Sequence, residues 1–199
     1  MKVLHIQLFD KSSEANSSVS LARASELSSF SFLQKGSIGE FLNFFSKTVS
    51  DRTAPGQRQS IQEQSYTFHV FCIPNSGDLT AVMVTDEEYP VRVAFGLLNK
   101  VTDEWQQDHP KTEYELDEIQ WPKLSDYLRK YQDPKQADQI MKVQQELDET
   151  KIILHKTIES VLERGQKLDS LVERSENLSA QSKMFYKSAK KQNSCCVIM

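Results

Sequence analysis

The chain has 199 residues, enough for one domain with a true hydrophobic core plus an extension. With 24 Lys and Arg against 28 Asp and Glu, its formal net charge of -4 gives no general attraction to nucleic acid, and no nucleic-acid fold signature accompanies it. No apolar run reaches the ~18 residues of a transmembrane candidate, and His5, Gln7 and Asp10 interrupt the apolar N-terminus, so neither a membrane span nor a signal peptide is expected and the protein is expected to start in the cytosol.

In chain order, Leu4 to Leu8 alternates apolar and polar residues, the pattern of a strand with one buried face. Leu27 to Leu33, with Phe30 and Phe32 on one face, makes a second, weaker strand candidate. Ile38, Phe41, Leu42, Phe45 and Val49 recur at helical spacing, and Pro55-Gly56 follows as a stop signal. A short edge strand is expected around Arg58 to Gln62, and Tyr66 to Ile73, apolar on nearly every residue, suits a central strand covered on both sides. Pro74 to Asp78 is a turn, and Leu79 to Thr85 returns as a strand. A second helix starts with Pro90 in its first turn and carries Val91, Ala94, Phe95, Leu98, Thr102 and Trp105 on one stripe. Gln106 to Gln120 reads as a loop, and Leu124, Tyr127, Leu128 and Tyr131 suggest a short third helix. This order predicts an α+β domain over residues 1–132, with a mostly antiparallel five-stranded sheet and helices on both faces. It resembles the longin domain in element order and size, and other profilin-like α+β domains share the pattern.

The periodicity changes near Pro134. Asp133 can cap a helix, Pro134 suits its first position, and Gln136 stands where a capping box places its returning amide. Alternating steps of three and four then give Ile140, Val143, Leu147, Thr150, Leu154, Thr157, Val161, Arg164, Leu168, Leu171, Ser175, Leu178, Ser182, Phe185 and Ala189. Seven heptads in one frame predict a long coiled-coil helix over residues 136–192. Ile153, Ile158, Val172 and Tyr186 flank this seam and widen its apolar face, which implies more than one partner helix.

Arg164 interrupts the seam between Val161 and Leu168, where a guanidinium would leave water. Its donors then need acceptors at the same level of a bundle, which glutamine amides can provide; the competing reading is a looser frame with Arg164 in solvent. The string Val161-Leu-Glu-Arg-Gly-Gln-Lys-Leu-Asp-Ser-Leu171 resembles the centre of the R-SNARE motif. That resemblance implies that Arg164 forms an ionic layer with glutamines from three partner helices (Qa, Qb and Qc). It also implies a role in vesicular membrane fusion, because zippering toward Ala189 would draw the C-terminal end to the partner membrane. Gly165 is unusual inside a helix, at about 1 kcal/mol relative to alanine.

Cys196-Val197-Ile198-Met199 fits a prenylation signal whose terminal methionine favours farnesyl. One isoprenoid gives marginal membrane binding, so a second lipid, palmitoyl, is expected on Cys195, with Lys183, Lys187, Lys190 and Lys191 facing anionic headgroups. These covalent lipids are expected to replace any cofactor, and the cytoplasmic face of membranes is the expected location. The paired cysteines, with the longin-like domain and the R-SNARE-like motif, resemble the prenylated longin-domain R-SNAREs of the synaptobrevin group. A prenylated signalling or scaffold protein with a dimeric coil is the alternative.

An unpaired coil and a lipid expose more apolar surface than a soluble monomer tolerates. In the first helix Phe44 lies roughly 120° from the centre of the apolar stripe, so it is a candidate for a groove against which the coil, and with it the lipid, folds back. The alternative is that it packs under a loop. His5, His69, His109 and His155 are scattered, His69 and Cys72 point to opposite faces of one strand, and no catalytic or metal motif occurs, so no enzyme activity is expected.

Overall fold

The computed structural model describes residues 2–11, 17–74, 79–109, 118–133 and 151–194. Their elements run β1 (Val3–Asp10), β2 (Val19–Ser25), α1 (Phe32–Asp51), β3 (Arg58–Glu63), β4 (Tyr66–Cys72), β5 (Leu79–Asp86), α2 (Val91–Asp108), α3 (Pro122–Lys130), β6 (Ile152–His155), a 3-10 turn (Ile158–Val161), α4 (Leu168–Arg174) and α5 (Ala180–Ser194). The strands form one mixed sheet in the order β2-β1-β5-β4-β3-β6. All neighbours pair antiparallel except β3 and β6, which run parallel.

Side-chain alternation divides the core into two layers. On β5, Leu79, Ala81 and Met83 join the cluster under α2 and α3, whereas Val82 and Val84 join the cluster under α1. Between Val3 and His5 the pairing of β1 with β5 shifts register. Parity changes across that shift, which is how Val3 and Ile6, three apart, reach the same cluster. The polar residues of β1 are turned toward α1: His5 bonds Gln7 at 2.9 Å, and the Gln7 amide donates to Asn43 of α1 at 2.7 Å. His69 on β4 reaches the other layer, bonded to Ser60 at 2.9 Å and edge-on to Phe95 of α2.

Two expectations are corrected here. The second strand is Val19–Ser25, not Leu27 to Leu33; the latter stretch contains a turn and the start of α1, and Phe32 is 89% exposed. Among the described residues the sheet has six strands rather than five, because residues 152–155 from the heptad region add the sixth. The turn residues 75–78, the loop residues 110–117, the boundary at Pro134 and the seam residues Ile140, Val143, Leu147 and Thr150 lie outside the described residues. So do Cys195 and Cys196.

Candidate functional site

The heptad segment is not one continuous helix in this conformation. Residues 151–194 are broken into β6, the 3-10 turn, α4 and α5, and they wrap the domain from the edge of β3 across the outer face of α1. The physical reason lies in the stripe itself. A chain without partner helices still has to bury those apolar side chains, and an uninterrupted helix would leave most of the stripe in water. Breaking the helix lets Ile158, Leu168, Val172 and Leu178 become buried, at 5% exposure or less.

Each turn of this path has local support. Ile152 to His155, opening with two β-branched residues, pairs with Arg58 to Ile61 in parallel register. The Ile158 N–H donates to the Glu63 carboxylate at 3.0 Å, and partial burial of Glu63 pushes its pKa above the usual carboxylate value. Glu159 accepts from the Leu168 N–H at 3.2 Å and so caps α4, whose own preceding residue, Lys167, offers no side-chain cap. At the far end Glu40 of α1 receives the Ser179 N–H at 2.8 Å and the Ser182 hydroxyl at 2.7 Å, placing a carboxylate at the start of α5. Partial burial raises the Glu40 pKa, but the hydrogen bonds from Ser179 and Ser182 outweigh it and hold the carboxyl below its ordinary value.

The centre of the contact is aromatic. Phe41 stacks on Phe45 at 5.8 Å between centroids and meets Phe185 at 6.3 Å and Tyr186 at 5.9 Å across the interface. Phe44 packs against the same cluster, which contains Phe41, Val172 and Leu178. The structure thus brings Phe44 onto the covered face, but Phe41, which the helical stripe assigns to the domain core, sits at its middle. What the stripe hides is that α1 is apolar on two sides: Leu42 and Val49 face the sheet, Phe41 and Phe44 face the C-terminal segment, and Phe45 contacts both. Beside this contact lies a cavity of about 250 Å³ lined by Ile38, Phe41, Leu42, Tyr66, Phe68 and Phe185 among others.

Of the remaining seam residues, Leu154 is 72% exposed, Thr157 is exposed, Val161 and Leu171 are half-buried, and Ser175 is half-buried in the turn between α4 and α5. Leu168, Leu178 and Ser182 are buried, Phe185 is half-buried, and Ala189 lies in α5. Arg164 is exposed, at a turn between the 3-10 segment and α4. Two lysines of α5 are paired with acids of α4: Lys187 with Glu173 at 2.8 Å, and Lys190 with Asp169 at 2.5 Å. Lys183 donates to the Glu173 carbonyl at 3.0 Å. The Lys190 and Tyr186 hydrogen bonds hold the Asp169 carboxyl below its usual range, and Lys187 does the same for Glu173. Among the described residues no helix is long and apolar enough to cross a membrane.

Comparison with known proteins adds two matches that divide the chain where its periodicity changes. A longin model, described as a regulated-SNARE-like domain, matches residues 27–133, and a synaptobrevin model matches residues 139–197. The Schizosaccharomyces pombe protein called synaptobrevin homolog ykt6 is 62% identical over 180 residues, covering 89% of this chain and 90% of its own. The Saccharomyces cerevisiae synaptobrevin homolog YKT6 is 52% identical, and the Arabidopsis thaliana VAMP-like protein YKT61 is 49% identical, each with 100% of both chains covered.

Proposed function

Because the chain belongs to the longin-domain SNARE family of synaptobrevin homologues, we propose that the folded-back form is the resting state of an R-SNARE of vesicle fusion. The observation that carries this reading is the position of the motif's centre. Arg164 stands on an exposed turn while Leu168, Val172 and Leu178, on either side of the next turns, are buried on the domain. The same side chains cannot occupy that surface and a four-helix bundle at once, so docking and fusion compete for one segment.

In the fusion-competent form the segment becomes one helix. Arg164 then enters the bundle, where three glutamine amides from partner SNAREs satisfy its donors. A guanidinium facing aliphatic layers instead would cost several kcal/mol, so this layer fixes the register of the four helices. Ile140, Val143, Leu147, Leu154, Val161, Leu168, Leu171, Leu178, Phe185 and Ala189 supply the apolar layers on either side.

Anchoring follows from the cysteines. Cys196 carries a farnesyl group and Cys195 a second lipid, palmitoyl, since one isoprenoid alone binds membranes marginally. The apolar cavity lined by Phe41 and Phe185 would give a prenyl chain cover in the resting state, and Cys196 follows Ser194, the last residue of α5, by two positions in the chain. Pairing of Lys187 and Lys190 with Glu173 and Asp169 further withholds the basic stretch from anionic headgroups until the segment leaves.

The test mixes the full chain with three glutamine-bearing SNARE helices and follows formation of a heat-resistant 1:1:1:1 helical assembly. Phe44→Glu should accelerate assembly and enlarge the hydrodynamic radius, and Arg164→Gln should lower the stability or specificity of the product. Unchanged radius, membrane partition and assembly rate for Phe44→Glu would end the resting-state reading. Mass spectrometry of protein from eukaryotic cells, with Cys196→Ser as control, tests the lipids.

A further inference from the structure

At the middle of the motif, Glu163 to Gln166 forms a β-turn closed by the Gln166 N–H donating to the Glu163 carbonyl at 2.9 Å. Its second central residue is Gly165, with φ at +91°, in the region that favours glycine. The turn is held from α1. Arg52, the C-terminal capping residue of that helix, donates to the Glu163 carboxylate and to Gln166 Oε1, the latter at 3.2 Å, while the Gln166 amide also donates to Glu163 at 2.9 Å. A Cβ added at Gly165 would meet nothing within 4 Å. The demand for glycine here is therefore conformational and owes nothing to crowding.

The bundle makes the opposite demand on the same residue. A continuous helix needs a negative φ near -63° at position 165, where glycine is a poor helix former and alanine the best. We propose that Gly165 is the hinge between the resting and fusion-competent forms: its left-handed φ, clamped by Arg52, stores the motif as a broken chain with Arg164 turned out to solvent. Its weak helix propensity holds back premature zippering through the central layer. The hinge deepens the resting-state reading and rests on it. It also accounts for a glycine next to the layer arginine, which a bundle by itself would not select.

Substituting alanine changes both sides of the equilibrium in one direction. Left-handed φ becomes unfavourable in the resting form, and the helix becomes more favourable, so Gly165→Ala should raise the open fraction roughly 30- to 150-fold. Asparagine tolerates left-handed φ far better and is only slightly better than glycine in a helix, so Gly165→Asn should stay within about fivefold of the wild type. Both variants are made in the full chain. Amide hydrogen exchange over residues 158–186 reads the open fraction, and mixing with the three glutamine-bearing helices reads the assembly rate. The expected order in both is alanine well above asparagine, and asparagine close to glycine. Equal exchange in all three proteins, or asparagine matching alanine, overturns the hinge. If Phe44→Glu speeds assembly while Gly165→Ala leaves exchange unchanged, the hinge falls and the resting-state reading stands. If Gly165→Ala opens the segment by exchange yet assembly is no faster for any opened variant, Phe44→Glu included, the resting-state reading falls and takes the hinge's role in fusion with it, leaving Gly165 only as the turn residue of the docked segment.

Discussion

Replacing Phe41 by alanine isolates the energy with which the C-terminal segment is held. The ring is 8% exposed and has neighbours of two kinds. Its stack with Phe45 lies within α1 and persists whether or not the segment is docked, whereas its contacts with Phe185 and Tyr186 exist only in the docked form. Two cross-segment aromatic contacts are worth about 1–3 kcal/mol together. This is less than the ~3–5 kcal/mol of a full Phe→Ala truncation in a core, because part of that loss is common to both forms. A central value of about 2 kcal/mol corresponds to roughly a 30-fold rise in the undocked fraction. Hydrogen exchange can read this locally: amides of α4 and α5 should lose about that factor of protection, while those of β4 and β5, packed through Val70, Val82 and Val84, keep theirs. Protection unchanged in residues 168–186 would refute the assignment of Phe41 to the interface. Protection lost equally in the sheet would refute the separation of α1 into an inner and an outer face.

Glu40→Gln removes the charge that receives Ser179 and Ser182, and for a half-exposed carboxylate about 1 kcal/mol of docking should go with it, visible as faster exchange in the first turn of α5. Because the Glu40 pKa is lowered in the folded form, this contribution is present above its unfolded value and is lost as pH falls through the folded one; the pH titration of α5 exchange should flatten in the variant. His5 and His69 are buried as neutral rings, and burial lowers each pKa to about 4. The unfolded chain therefore binds more protons between about pH 6.5 and 4, and stability should fall across that window by about 1.4 kcal/mol per histidine at pH 5.5; a flat denaturation midpoint from pH 7 to 5 would contradict this. Asp169→Asn with Glu173→Gln should leave the denaturation midpoint nearly unchanged, as expected of exposed pairs, yet raise partition of the protein onto anionic vesicles through the released lysines. Equal partition onto neutral vesicles would show that charge is not the cause.

How much of this architecture was legible depended on how strongly each segment was patterned. The run Tyr66 to Ile73 announced a central strand because it is apolar on both faces, and β4 does lie between β5 and β3. β2 was missed because Ala22 and Ala24 fill its inward positions with small side chains, leaving little alternation to read, whereas Phe30 and Phe32 mimic a strand face next door. The groove was half visible. Phe44 stood off the apolar stripe of α1 and so could be singled out, but Phe41 lay on the stripe, and in a helix covered on two sides the periodicity alone does not mark which aromatic serves which layer.

Heptad spacing, an arginine inside it and the cysteines beyond it were fixed by residue order alone, since period and chemistry are properties of the chain. Where those side chains are buried was not. The hydrophobic effect demands removal from water without naming a partner, so the same stripe serves a bundle or a groove. Only the three-dimensional packing, with Phe41 and Phe44 turned outward, Glu40 at the start of α5 and a left-handed glycine after Arg164, decided that this chain covers its stripe with its own domain.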